Sequence, residues 1–314
     1  VEMSAAEAQL ASAVLMIRPV RFASNPQTAS SNRFQGKSEL QPAQQNTQAQ
    51  HEFDALATAL RDAGITVIVI NDTPEPHTPD AVFPNNWIST HSAGDVVLFP
   101  MEAENRRAER RQDVVQELRS DYGFQIRDII DLSQHEDAGH FLEGTGSLVL
   151  DRAQHVAYAC LSSRTQLDPL GDFAQRLDYE VLAFDAVDRD GVPIYHTNVM
   201  LSIGEQFAVI CADAIEREDQ RAAVVASLAD SGREVLFLSF DQLEAFAGNL
   251  LELRNQQGER VVALSAQAYA SLDESQLALL EANGRVVAVD ISTIEASAGG
   301  SVRCMLAEVH LPVA

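Results

Sequence analysis

Cys304 in the stretch GGSVRCM, His196 in IYHTNVML and Glu143 in HFLEGTGSLVL are the residues of this 314-residue chain whose types and settings could do covalent chemistry. A cysteine attacks as its thiolate, and at neutral pH it needs a nearby base or cation to become one. Cys160 in VAYACLS and Cys211 in FAVICAD sit in apolar runs, where cysteine behaves as a small buried hydrophobe. Cys304 differs because Gly299 and Gly300 precede it, and glycines let backbone approach a ligand closely and present N–H groups to it. Its own context reads equally as nucleophile or buried thiol. His196 taken alone reads as a structural residue; a thiol at a matching place in the fold would make it a base. Asn198 follows two residues on and, in a strand, would share its side. Glu143 stands behind Phe141 and Leu142, and an acid inside an apolar segment is costly unless paired or functional.

Residues so far apart meet only if the chain returns repeatedly to one place. Amphipathic stretches EFDALATALRDAG, DVVQELRSDYG, DQRAAVVASLADSG and SQLALLEANG end on glycine, which closes helices in the left-handed conformation. Each leads into a β-branched run: ITVIVI, FQIRDI, REVLFLS and RVVAVDIST. DFAQRLDYEVLAFD repeats the junction with Tyr179 in the glycine position. Gly64, Gly123, Tyr179, Gly232 and Gly284 are thus spaced by 59, 56, 53 and 52 residues, the mark of an internal repeat. Short strands such as DVVLFP, GSLVLD, NVMLSIG and CMLAEVHL complete units of one helix and three strands. Five such units closing on themselves form a single α/β domain over 1–314, a pseudo-fivefold five-bladed propeller with loops converging on its axis. Asn86, Glu143, His196, Asn249 and Cys304 lie 22, 20, 17, 17 and 20 residues after their junctions, so one polar residue per unit faces that axis.

Composition removes several classes. A hydrophobic content of 46% supports a sizeable core, and no apolar run reaches membrane-spanning length. The N-terminal VEMSAAEAQLASAVLMIRPV lacks a basic start, so the expectation is a cytoplasmic protein. A net charge of −24 opposes nucleic-acid binding. Three cysteines without C-x-x-C spacing argue against disulfides and zinc, and the other histidines, His135 and His140 among them, show no metal-ligand spacing. Lys37, the single lysine, lies in a polar loop, which leaves little room for Schiff-base chemistry. Neither metal nor cofactor is expected, and a homodimer is left open.

FPNNW, FLEGTGS, YHTNVML and GGSVRCM together resemble the guanidine-modifying (pentein) superfamily in order and spacing, and most of all its citrulline-utilisation group. The resemblance spans residues 80 to 307 and implies the five-bladed α/β propeller. It implies Cys304 as nucleophile, His196 as general acid and base, and Glu143 as the residue that orients the substrate nitrogen and supports charge on His196. Asn86 falls where deiminases have an aspartate, and Arg106 or Arg107 where they clamp the substrate carboxylate. Asn86, Asn198 and Asn249 would then bind the planar head group, with Gly299 and Gly300 beside it.

Where deiminases that bind cationic arginine have aspartates, this chain has Asn86, Asn198 and Gly146. A buried cation needs carboxylates, whereas a neutral ureido group needs a donor and an acceptor without net charge, so the substitutions favour a citrulline-like substrate over arginine. The implied activity is hydrolysis of a C–N bond at the ureido or guanidino carbon of a small amino acid, through an S-linked intermediate and with release of ammonia. An amidinotransferase would use the same thiol and pass the group to an amine. A pentein-fold binding body without catalysis is the non-enzymatic alternative, one with no reason to keep Cys304, His196 and Glu143 in phase. The Gln/Asn/Ser-rich stretch from Asn25 to Gln50 reads as a flexible loop or a lid.

Overall fold

The computed structural model describes residues 7–36 and 40–313; Lys37 lies outside the described residues. Among the described residues fifteen strands form five three-stranded sheets of mixed α/β architecture. In four of them the chain runs through the sheet in order: β3 (Ile88–Thr90), β4 (Asp95–Leu98), β5 (Asp128–Asp131); β6 (Val149–Asp151), β7 (Val156–Cys160), β8 (Glu180–Phe184); β9 (Leu201–Ile203), β10 (Phe207–Ile210), β11 (Glu234–Phe237); β12 (Leu251–Arg254), β13 (Arg260–Ser265), β14 (Arg285–Val289). Within each, the first strand pairs antiparallel with the middle one, and the third pairs with it in parallel. The remaining sheet joins the two ends of the chain. β1 (Ala13–Arg18) pairs antiparallel with β15 (Ala307–Val309) and parallel with β2 (Thr66–Asn71), so the C-terminal strand supplies what the N-terminal unit lacks.

A parallel pair needs a crossover, and helices supply it. They include Pro42–Asp62, Gln112–Ser120, Leu167–Leu177, Glu218–Asp230 and Glu274–Asn283. Each lays its apolar face over more than its own sheet. Phe53, Leu56 and Leu60 of the first helix pack with Val14 and Met16 of β1 and with Leu253 and Val261 of the β12–β14 sheet. Phe173 of the third packs with Val97 and Phe99 next door. Burying each of these large side chains is worth about 1.5–3 kcal/mol, so a helix that bridges two sheets ties neighbouring units together.

The helix-closing glycines behave as expected at Gly64, Gly123 and Gly232, with φ of 84°, 72° and 82°. Two junctions differ. Asp178, not Tyr179, takes the left-handed position at φ 58°, a conformation aspartate tolerates because its side chain is short and polar. Gly284 is extended, and the reason for glycine there is space: a Cβ would lie 2.6 Å from the Arg260 carbonyl oxygen. FQIRDI also needs correction, since Phe124 makes only an isolated bridge to Val313 and the strand begins at Asp128. The first helix starts at Pro42, ten residues before its apolar pattern becomes obvious, because Gln45 and Ala49 already face inward. The last nine residues of the stretch from Asn25 to Gln50 are therefore helix, not loop. Among the described residues no helix is long and apolar enough to cross a membrane.

Because left-handed backbone favours glycine and a Cβ at Gly64 would also meet the Gln257 side chain at 2.7 Å, Gly64→Ala should cost about 1–2 kcal/mol. Asp178→Gly should be neutral or stabilising. Urea denaturation midpoints at equal slope check both.

Candidate active site

The five chain segments that precede the first strand of each sheet come together. A 3₁₀ turn Pro84–Asn86 leads into β3, a helical turn Gly144–Ser147 into β6, a 3₁₀ turn Thr197–Val199 into β9, Asn249 into β12, and a helical turn Val302–Met305 into β15. The turn at Gly144–Ser147 packs against those at Pro84–Asn86 and Thr197–Val199, and the Cys304 turn packs against the first. Glycine makes this approach feasible at Gly144, where φ is 50° and a Cβ would lie 2.1 Å from the Asn85 carbonyl oxygen.

Glu143 is fully buried and sits at the centre of the charged part of the site. Its Oε2 is 2.7 Å from His196 Nε2, 3.5 Å from an Arg164 guanidinium nitrogen and 3.9 Å from one of Arg106. Its Oε1 accepts the Glu102 backbone N–H at 3.1 Å. Burial by itself raises this carboxyl, but Arg164, the His196 hydrogen bond and Arg106 outweigh it and hold Glu143 well below the usual carboxylate range. Burial pushes His196 the other way, down to about 4, against the opposing effect of Glu143. At neutral pH the pair is a carboxylate and a neutral imidazole. An ionised carboxylate only accepts, so the shared proton is on Nε2 and the lone pair is on Nδ1. Gly146 faces that nitrogen, and a Cβ there would lie 2.8 Å from Nδ1 and 2.4 Å from Asn86 Nδ2.

A cavity opens beside this pair. Cys304, His196, Asn86, Gly299 and Gly300 line it, together with three residues that sequence reasoning missed: Asp80, Arg164 and Tyr195. Asp80 is buried; its Oδ2 accepts from Asn25 Nδ2 at 2.8 Å, while Oδ1 has no partner. Burial raises its carboxyl, with Arg106 and Asn25 opposing. The argument applied to Glu143 would have found it, since Ala81, Val82 and Phe83 follow Asp80 directly. Arg164, in a turn without pattern, carried no signal. Its guanidinium carbon lies 5.1 Å over the Tyr195 ring, and Tyr195 donates through its hydroxyl to the Gly299 carbonyl.

Several expected roles change. Asn198 does not share a strand face with His196, because His196 caps a 3₁₀ turn and Asn198 lies inside it; its Nδ2 instead lies 3.5 Å from Cys304 Sγ. Asn249 Nδ2 lies 3.3 Å from the same sulfur. These two amides face the thiol, and only Asn86 of the three asparagines lines the cavity. Asn86 Oδ1 accepts from Arg106 at 3.0 Å and its Nδ2 has no partner. Arg106 is not a free clamp: two of its nitrogens hold Glu109, each at 3.0 Å. Arg107 lies outside the cavity, against Met101, Glu136 and the Phe141 ring. Gly299 and Gly300 admit protein as well as cavity: Cβ atoms there would meet Asn32 at 2.6 Å and the Phe83 ring at 2.7 Å.

The segment from Asn25 to Gly36 covers the site rather than waving over it. Asn32 Nδ2 donates to the Ala298 carbonyl at 2.9 Å, Gly36 N to the Ala296 carbonyl at 2.7 Å, and Arg164 donates to Ser31 and to the Thr28 carbonyl. Cys160 and Cys211 are buried, as expected of core thiols, and burial pushes them up to about 12 and about 11. His135 and His140 pair with Asp172 and Asp168 away from the site. Among the described residues no group of three His, Cys, Asp or Glu is disposed to hold a metal ion.

A profile of the family described as N,N dimethylarginine dimethylhydrolase, eukaryotic, matches residues 18–311. No curated protein sequence matches. Among solved structures the chain is similar to apo ArgZ, an arginine dihydrolase from the ornithine-ammonia cycle in cyanobacteria, at 17% identity and TM-score 0.71, covering 96% of this chain and 41% of that one. Against the substrate-bound N-terminal domain of ArgZ the coverage is 94% and 96%, at 16% identity and TM-score 0.70. A dimethylarginine dimethylaminohydrolase in adduct with S-methyl-L-thiocitrulline gives 15% identity and TM-score 0.64, covering 95% of this chain and 99% of that one. The chain thus spans about two fifths of full-length ArgZ. At these identities the likeness is one of fold.

Because His196 is held down to about 4 from an ordinary value near 6.5, folding should lose stability as pH falls through the window from 6.5 to 4, where the unfolded chain binds the proton first. Denaturant titrations across that window should show the loss in the native chain and a smaller one in His196→Asn.

Proposed function

The chain belongs to the family described as N,N dimethylarginine dimethylhydrolase, eukaryotic, and we propose that it is a cysteine hydrolase acting on the guanidino carbon, and then the ureido carbon, of an arginine-type amino acid. The observation that carries this reading is the meeting, at one cavity, of Cys304, His196 with Glu143 hydrogen-bonded behind it, and Asp80 with an unpartnered carboxylate oxygen. We read the five sheets as five blades of one domain closed around an axis, with this cavity at the end where the turns converge.

Cys304 Sγ bonds to the head-group carbon and loses its proton. His196 receives a proton on Nδ1 and delivers it to the departing nitrogen as the C–N bond breaks. Glu143 supports the transient imidazolium, and Arg164 and Arg106 keep Glu143 ionised throughout. Water then attacks the S-linked carbon, gives a proton to Nδ1, and the C–S bond breaks to restore the thiol. Each cycle consumes one water and releases one amine or ammonia.

The preference for a neutral head group rested on missing aspartates, and that argument weakens once Asn198 faces sulfur and Gly146 is closed by Asn86 and His196. Asp80 supplies a carboxylate where the sequence had suggested none. Its free oxygen and the Arg164 cation suit the two charges of an amino acid or, for Asp80, a cationic head group. Asn86 Nδ2, a free donor, suits the carbonyl oxygen of a ureido product, which favours a second hydrolysis. The similar ArgZ is named an arginine dihydrolase. Water rather than amine is the acceptor on this reading.

Arginine and citrulline should both yield ornithine with ammonia and carbon dioxide, and Cys304→Ala should lose at least about a thousandfold in kcat. Accumulation of citrulline from arginine, with citrulline itself inert, sinks the second step; absence of turnover on arginine, citrulline and N,N-dimethylarginine sinks the enzyme. Asp80→Asn should raise KM by about tenfold to a hundredfold with a smaller change in kcat.

A further inference from the structure

Cys304 Sγ has two carboxamide donors, Asn249 Nδ2 at 3.3 Å and Asn198 Nδ2 at 3.5 Å. Among the described residues no hydrogen bond joins it to His196, whose Nε2 is taken by Glu143. Its donors are these neutral amides; the sulfur also lies 3.8 Å from Asn198 Oδ1, and the buried guanidinium of Arg303, the preceding residue, interacts with it electrostatically. Amide N–H groups favour a sulfur anion over a protonated thiol, and carboxylates at either position would repel it.

Asn249 is placed for this with unusual rigidity. It is fully buried, its Nδ2 also donates to the Asn198 carbonyl at 2.9 Å, and its backbone N–H donates to the Phe246 carbonyl at 2.9 Å. Phe246 is in the left-handed region at φ 62°, a conformation a bulky residue adopts only when its surroundings impose it. Gly248 packs so closely on the Asn198 turn that a Cβ would lie 2.4 Å from the Val199 carbonyl oxygen. A strained turn, a glycine contact and two hydrogen bonds converge on one side chain, and its Oδ1 is left without a partner. A group built only to fill space would not be held with its oxygen unsatisfied and its nitrogen on sulfur.

We propose that Asn249 is a positioning residue for the nucleophile: with Asn198 it forms a neutral two-amide cradle that holds Cys304 Sγ in place and donates to its anion as the proton leaves. The cradle rests on the reading of Cys304 as nucleophile, yet its test needs no substrate.

Iodoacetamide alkylation of Cys304 in the full chain, followed from pH 6 to 10 by mass spectrometry of the Cys304 peptide, reads the anion directly. Asn249→Asp keeps the shape and replaces the donor by an acceptor; alkylation at pH 7 should slow by about tenfold or more and approach the native rate at pH 10. Asn249→Ser, smaller and still a donor, should recover part of that loss and serves as the folded comparison should the carboxylate disturb the core. Native pH profiles in folded Asn249→Asp and Asn249→Ser would overturn the cradle. A shifted profile in a chain that turns over no guanidino or ureido compound would leave the cradle standing and remove the proposed activity instead.

Discussion

One buried carboxylate sets the terms for everything around it. Glu143 has no access to water, so its charge must be met by the Arg164 and Arg106 guanidinium groups, the His196 N–H and the Glu102 backbone N–H. Those partners come from different units of the repeat, and none can be withdrawn cheaply, since breaking a buried pair costs about 3–5 kcal/mol. Closure of the chain by β1 and β15 matters for the same reason: it brings the Cys304 turn against the Pro84–Asn86 turn, completing the ring of segments. The same carboxylate fixes which imidazole nitrogen carries the proton. A structural demand and a chemical one are met by a single hydrogen bond.

Space is the second constraint. The turns approach so closely that Gly144, Gly146, Gly248, Gly299 and Gly300 each leave no room for a Cβ. A glycine at 146 therefore has a local reason independent of substrate charge: an aspartate there would collide with His196 and Asn86. The covering segment obeys the same geometry, because Asn32 fills the space at Gly299 and the Phe34 ring packs at a tilt against Phe246, 5.3 Å between ring centroids. Cover, glycine loop and the Cys304 turn pack together.

Much of this was legible in the sequence because periodicity and spacing are backbone properties. The junctions at Gly64, Gly123 and Gly232, and the matching phase of Asn86, Glu143, His196, Asn249 and Cys304, depend only on where helices end and strands begin. What the sequence left hidden depends on which way a side chain points. Asn198 and Asn249 were placed in the right neighbourhood and given the wrong neighbour, since nothing in YHTNVML distinguishes a strand from a 3₁₀ turn. Arg106 and Arg107 are adjacent in sequence and part company in space, one inside the charged cluster and one against Phe141. Arg164 could not be found at all, because a lone arginine in a turn carries no period. Asp80 could have been, by the rule that exposed Glu143.

The resulting site is electrically divided. Full charges gather on the histidine side, where Glu143, Arg164, Arg106 and Asp80 compensate one another. On the other side the side chains that donate to the sulfur are amides. A carboxylate next to Cys304 would oppose formation of its anion, whereas a second arginine would hold that anion too firmly for it to attack carbon. Neutral donors avoid both penalties, which gives Asn198 and Asn249 a reason to be asparagine that does not depend on the charge of the substrate. On the proposed reading the head group meets Asp80 and Asn86, one an acceptor with a free oxygen and the other a donor with a free nitrogen. A head group that begins as a guanidinium and becomes a urea needs first the one and then the other.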